Sequence, residues 1–251
     1  MGIFSHFDAT YIKANDPITK RAFWLREQRT GKSIRHWAVL TDPSWTEPRV
    51  LETVHTDFHW DDPGKSLRLM PSWMYALPVP TKYESLHWNG RISGYIQFDG
   101  GEWPMTHWPA QQGHLWGWRT SREWAWAHGN CFQEDHTAAF EILTSGNRTV
   151  LCFQSQQFQY LANGISTLHC TQHELTDTHW NWTFSHHDLV IAGQFRLGYA
   201  DMATVIYPTP QGDTRTCHNT KVGAGVIEVA RGGKPLLQLT AVDTLAWEWV
   251  R

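Results

Sequence analysis

Apolar and polar residues alternate in short runs along this chain, and turn residues recur roughly every ten positions, the pattern of an all-β sandwich or barrel. Strands are expected at Arg21–Gln28, His36–Leu40, Arg49–Val54, Tyr83–Trp88, Ser93–Phe98, Glu123–Phe132, Ala139–Leu143, Thr149–Gln154, Gln157–Leu161, Ser166–Gln172, Trp180–Phe184, Leu189–Leu197, Ala203–Ile206, Gly223–Ala230 and Leu236–Trp249. The last is long and is expected to break at Asp243. Asp99-Gly100-Gly101, Ser145-Gly146-Asn147, Asn163-Gly164, Gln211-Gly212-Asp213 and Arg231-Gly232-Gly233 supply the turns. Almost nothing carries the helical period. About fifteen strands exceed what one small barrel holds, so two packed β units are expected, residues 1–133 and 134–251, with the boundary in the polar stretch Gln133–Thr137.

The stretch Gly113–Phe132 organises the rest. In its second half Trp124, Trp126, His128 and Asn130 fall on one face of a strand, and Ala125, Ala127, Gly129 and Cys131 on the other. One face is large, aromatic and hydrogen-bonding; the other is small enough for close packing. That suits either an aromatic core strand or the wall of an apolar pocket with His128 and Asn130 as polar handles. The preceding segment, Gly100–Trp118, is rich in Gly, Pro and Trp and reads as a long loop carrying His114, Trp116 and Trp118 on one face.

Composition narrows the function. The 251 residues are enough to bury a core without disulfides or metals. A net charge of -3 with scattered Lys and Arg leaves no footprint for nucleic acid. Sixteen tryptophans mean thick cores or aromatic binding surfaces. No apolar run reaches transmembrane length, so stable membrane insertion is not expected. The N-terminal MGIFSHFDAT lacks a cationic segment followed by an apolar one, which points to a cytoplasmic chain with Cys131, Cys152, Cys170 and Cys217 reduced.

Fifteen histidines invite a metal, but their spacing does not fit one. His55 and His59 would lie roughly 13 Å apart along a strand, and no zinc pattern is present. There is no G-x-S-x-G elbow, P-loop or G-x-G-x-x-G, so neither a nucleophilic serine nor a nucleotide cofactor is indicated. The expectation is therefore no metal and no cofactor. Acid chemistry is better supported. Glu141 sits in the otherwise apolar strand Ala139–Leu143, where burial would raise its pKa and make it a general acid. His114 and His128 are candidate proton donors or acceptors, and Asn130 a group to orient substrate or water. Trp116, Trp118, Trp124 and Trp126 would shape a pocket and stabilise a developing cation. Such a set suits protonation-driven cyclisation or hydration of an unsaturated, hydrophobic small molecule. Two other classes fit the same composition: a non-catalytic carrier of a hydrophobic ligand, and a Trp-rich carbohydrate-binding module. The oligomeric state is not encoded in any feature of the sequence.

Three blocks resemble a known group: Tyr11–Pro17 with Arg21–Arg26; Gly94–Gly100 with Gln112–Gly117 and Trp126–Asn130; and Cys217-His218-Asn219 leading to Gly225–Val229. Together they look like the tocopherol cyclase / carotenoid 1,2-hydratase / AttH-like superfamily, to which the lipocalin-like Diels–Alderases are also similar. The resemblance implies two lipocalin-like β units around an apolar pocket. It also implies cofactor-free cyclase, hydratase or pericyclase chemistry on terpenoid- or polyketide-like substrates. The family's H-N-W-G-like block aligns with His114–Gly117, where Leu115 replaces the usual Asn and removes a polar group.

Overall fold

The computed structural model describes residues 6–250, so the N-terminal reading falls partly on residues 1–5, outside the described residues. Seven strands form the first sheet: β1 (Phe7–Asn15), β2 (Ala22–Thr30), β3 (Ser33–Thr41), β4 (Arg49–Leu51), β5 (His55–Asp62), β6 (Thr81–Phe98) and β7 (Gly101–Gly117). Their order is β4-β3-β2-β1-β7-β6-β5, all antiparallel. A five-residue helix, α1 (Ser72–Ala76), lies between β5 and β6.

The second sheet takes β8 (Trp124–Gly129), β9 (Ala139–Ser145), β10 (Arg148–Gln154), β11 (Gln159–Ala162), β12 (Thr171–Leu175), β13 (His179–His186), β14 (Leu189–Arg196), β15 (Ala203–Pro208), β16 (Thr214–Arg231) and β17 (Lys234–Val250). Its order is β11-β10-β9-β8-β17-β16-β14-β13-β12, with β15 paired to β16. The chain thus changes sheets between Gly117 and Trp124, and the stretch 133–137 connects β8 to β9 within the second sheet.

Both sheets curl until strands from opposite ends meet. In the second, Phe140 of β9 stacks on Trp182 of β13, centroids 5.1 Å apart and nearly parallel. The aromatic core around them includes Phe153, Trp180, Phe184 and Phe195, each fully buried aromatic contributing on the order of 2–3 kcal/mol. Gly193 makes room for Trp182: a Cβ there would lie 2.2 Å from the indole. Gly193→Ala is expected to cost about 1–3 kcal/mol through this overpacking, read as a lower urea midpoint with unchanged m-value.

The faces the sheets turn toward each other form a seam. Strand alternation decides what enters it. Tyr11 and Lys13 of β1, Trp24 and Arg26 of β2, Trp126 and His128 of β8, and Ala139 and Glu141 of β9 are all buried. The seam's apolar cluster draws Tyr11, Trp24, Val39 and Tyr83 from the first sheet and Trp126, Ala139, Val150 and Val250 from the second.

The all-β architecture of two packed, curled units is as expected. The strand Lys234–Val250 is not broken at Asp243 but runs on through a bulge: φ there is 55°, and pairing shifts from Gly223↔Leu245 to Gly225↔Ala241. Further readings are corrected. Gly100–Trp118 is not a loop; Gly101–Gly117 is a continuous strand paired with β6, and from Ala110 onward with β1 as well. Pro104 and Pro109 are tolerated because both lie outside the β1 ladder, where no amide proton is required. A bulge at His107, φ 54°, absorbs the irregular spacing. Tyr83–Trp88 and Ser93–Phe98 are halves of the single strand β6. Ser166–Gln172 is mostly a 3-10 turn leading into β12.

Candidate active site

Glu141 lies at the middle of β9, directly opposite His128 of β8. Both are fully buried. The Glu141 carboxyl is held from both sheets. Trp126 Nε1–H donates to Oε1 (2.8 Å), Ser85 Oγ–H to Oε2 (2.8 Å), and the Tyr83 hydroxyl to Oε1. Behind them, Gln111 Nε2 donates to Ser85 Oγ (2.9 Å), Tyr83 OH (3.2 Å) and Tyr11 OH (3.3 Å), and the two tyrosine hydroxyls are 2.8 Å apart. Burial raises the Glu141 pKa, against the pull of its three donors. The Trp126 N–H can only donate, but the Tyr83 and Ser85 hydroxyls can face either way. The cradle therefore accommodates the protonated acid and its carboxylate in turn. Burial, then the nearby Glu141 carboxyl, pushes the Tyr11 and Tyr83 phenols well above their ordinary range.

The network crosses three strands because the middle one yields. In the row Tyr11–Gly113–Ser85, β7 contributes a glycine between β1 and β6. A Cβ at Gly113 would stand 2.4 Å from the Tyr11 ring and 2.6 Å from its hydroxyl. Gly113→Ala is expected to cost about 1–3 kcal/mol and to part Tyr11 from Tyr83. The tyrosine hydroxyl proton resonances would then shift in the variant while Trp126 Nε1–H stays in place.

A buried amine stands in the same seam. Lys13 Nζ donates to Asn130 Oδ1 (3.0 Å) and Asn15 Oδ1 (3.3 Å), and the Asn130 amide donates to the Ala110 carbonyl (3.0 Å). Burial pushes Lys13 down to about 7. A second buried amine, Lys221, lies over the rings of Trp126 (5.3 Å) and Trp24 (5.6 Å), with Glu248 3.9 Å away; burial lowers its pKa also. His128 Nε2 donates to the Trp88 carbonyl (2.8 Å), which leaves Nδ1 without a proton. Burial, reinforced by Lys13, keeps the ring neutral.

Of the residues singled out from sequence, Glu141, His128, Asn130 and Trp126 meet in this seam, and Trp124 reaches its edge, where Nε1–H donates to Glu248 (3.4 Å). Asn130 holds the Lys13 amine. His114 is elsewhere: it points to the opposite face of the first sheet, between Asp8 (3.2 Å) and Glu84 (3.7 Å), stacked on Trp116. Trp116 also approaches Tyr75, and Trp118 packs edge-on against His6. Neither reaches Glu141. Reading the sequence did not single out Tyr11, Lys13, Tyr83, Ser85, Gln111 or Lys221. For Lys13 a signal existed: in Phe7–Ala9–Tyr11–Lys13–Asn15 the lysine sits in the apolar register of β1.

Two curled antiparallel sheets closed on a buried acid define a two-unit lipocalin-like β protein. Neither a family model nor a curated protein sequence matches the chain. Solved structures do. An AttH-like protein of Nitrosomonas europaea aligns at 12% identity with TM-score 0.57, over 97% of this chain and 92% of that one. Kievitone hydratase from Nectria haematococca aligns at 8% identity and TM-score 0.58, and CghA with Sch210972 at 9% and 0.58, each over 98% of this chain and 88% of the other. The likeness to the AttH-like group read from the three sequence blocks is thus present in the fold.

Proposed function

We propose that the protein is a non-redox hydratase or cyclase that protonates an unsaturated, largely apolar small molecule in the seam. The observation that carries this is Glu141, a fully buried carboxyl held by groups from both sheets. Its pKa is raised while that of Lys13 falls to about 7, and two groups pushed in opposite directions are the arrangement for an acid and a base working together. Glu141 delivers its proton to one olefinic carbon, and the electron pair of the double bond forms the new C–H bond. The indole faces of Trp126 and Trp24 stabilise the cation left on the neighbouring carbon. Water, or a nucleophile within the substrate, adds to that cation, and Lys13 accepts the proton it releases. The carboxylate left on Glu141 is meanwhile held by Trp126, Tyr83 and Ser85. Both transfers use side chains alone and call for no cofactor. The hydratase among the similar folds is consistent with this chemistry.

Gln111 Oε1 and His128 Nδ1, both buried, make no hydrogen bond with any described residue. Unpaired buried groups cost about 1–3 kcal/mol each, which favours an occupant that brings its own polar atoms. The segment between β5 and β6 covers this part of the seam: Leu67 pairs with the Ser85 backbone, Leu69 is buried in the seam, and the Met70 carbonyl accepts from Asn163, just after β11. The reading is tested with a panel of prenylated phenols and linear polyenes in deuterated, 18O-labelled water. Solvent deuterium at carbon is expected in at least one product, with 18O as well if water adds. A panel left wholly unaltered would overturn it.

A further inference from the structure

We infer that the curled first sheet holds a second small-molecule site, separate from the seam, for a neutral, largely apolar compound carrying a hydroxyl or carbonyl oxygen. The sheet encloses a cavity of about 460 Å³, open to solvent, whose lining includes His36 of β3 and Thr56 of β5, strands from the two arms of the strand order. That volume lies in the range of small-molecule pockets, roughly 300–1,000 Å³. Its walls are Ile12, Leu25, Ala38, Val54 and Phe58, above the apolar core that includes Phe23, Leu40 and Trp108.

This site shares strands with the seam, and Tyr11 and Arg26 border both, but their polar ends turn to the seam, where the Tyr11 hydroxyl meets Tyr83 and the Arg26 guanidinium meets Gln28 and the Tyr207 ring. On β1 and β2, Tyr11, Lys13, Trp24 and Arg26 point one way, while Thr10, Ile12, Leu25 and Glu27 point the other. The inference therefore does not depend on the function proposed for Glu141.

The polar atoms of the cavity select the ligand. Thr10, Thr53, Thr56 and Gln112 line it, and their side chains form no hydrogen bond with any described residue. All four are neutral and can donate to an oxygen. The charges at the mouth are met or repulsive to anions. Glu27 is paired with Arg29 (2.9 Å) and lies 3.8 Å from His36, and Glu52 stands exposed at the rim. A fatty acid anion would meet the carboxylates of Glu27 and Glu52, while Arg26, which also borders the cavity, turns its guanidinium away to Gln28 and the Tyr207 ring. An alcohol or ketone finds four neutral donors there.

The probe is N-phenyl-1-naphthylamine, whose fluorescence rises in apolar sites, displaced by 1-decanol or by decanoate. Wild type is expected to bind the probe, and 1-decanol to displace it at least tenfold more effectively than decanoate. Leu25→Trp and Ala38→Phe, which fill the cavity from two strands, should each weaken the probe more than tenfold, with near-UV circular dichroism confirming the fold. Glu141→Gln should leave probe binding unchanged. Should the filled variants not fold, Thr10→Val with Gln112→Leu carries the test: 1-decanol is expected to weaken at least fivefold while the probe does not. No binding to wild type, full binding to folded filled variants, loss in Glu141→Gln, preference for decanoate, or unaltered 1-decanol affinity in the double variant would each overturn the site.

Discussion

Glu141→Gln is expected to lower kcat/KM by a factor of about 10² to 10⁴, the usual contribution of a positioned general acid, without unfolding the protein. Glutamine keeps the shape of the buried acid and still accepts from the Trp126 N–H, which can only donate. Its amide cannot give up a proton. With the glutamine oxygen in the Oε1 position its amide faces Ser85, whose hydroxyl can turn to accept from it and donate instead to Tyr83 OH (3.1 Å). Thermal unfolding should therefore stay close to wild type while turnover collapses. The same experiment on His128→Gln separates the two buried candidates on this strand pair. His128 is neutral and commits its only proton to the Trp88 carbonyl, so this change should reduce stability more than catalysis. Full activity in Glu141→Gln would sink the assignment of the acid.

Lys13→Met should change how stability depends on pH. The folded amine titrates near 7, against an ordinary value of 10.5. Between those values the unfolded chain binds a proton that the folded chain does not. Stability therefore rises with pH across the window, by up to about 1.4 kcal/mol per unit. Methionine removes this contribution. Buried thiols act in the opposite direction above about 9, because Cys131, Cys152 and Cys217 all have raised pKa values in the fold. The informative quantity is thus the difference between wild type and Lys13→Met in urea titrations from pH 7 to 10. That difference should move steadily in favour of wild type as pH rises. A flat difference would mean that Lys13 keeps its proton in the fold and cannot serve as the base. In wild type, kcat/KM should correspondingly rise with pH through about 7 as the amine becomes free to accept.

The sequence showed the β class and the alternation of Trp124–Asn130, because a strand buried on both sides but large on one face and small on the other writes that contrast directly into its residues. It also showed Glu141, a lone carboxyl among apolar neighbours. It did not show where His114 would point. His114, Trp116 and Glu141 all lie on strands with similar composition, and only the pairing of β7 with β1 and β6 decides that His114 faces away from the seam. The strand β7 itself was hidden by Pro104 and Pro109, whose lost amide protons matter only if a neighbour needs them. Lys13 was obscured for another reason. A lysine normally signals solvent, and the two asparagines that make its burial tolerable come from Asn15 nearby and from Asn130, more than a hundred positions away.

The alternation of β1 and β2 has a consequence for how this molecule can change. Odd positions of β1 and even positions of β2 turn to the seam, and the remaining positions turn to the other face, where Thr10, Ile12, Leu25 and Glu27 line the cavity. The two compartments are written in interleaved letters on the same few strands. A substitution at most of these positions edits one face and spares the other, so the two faces can diversify separately. A single-residue insertion early in β1 that is not taken up by a bulge would exchange the two sets on that strand, sending Thr10 and Ile12 into the seam and Lys13 to the cavity face.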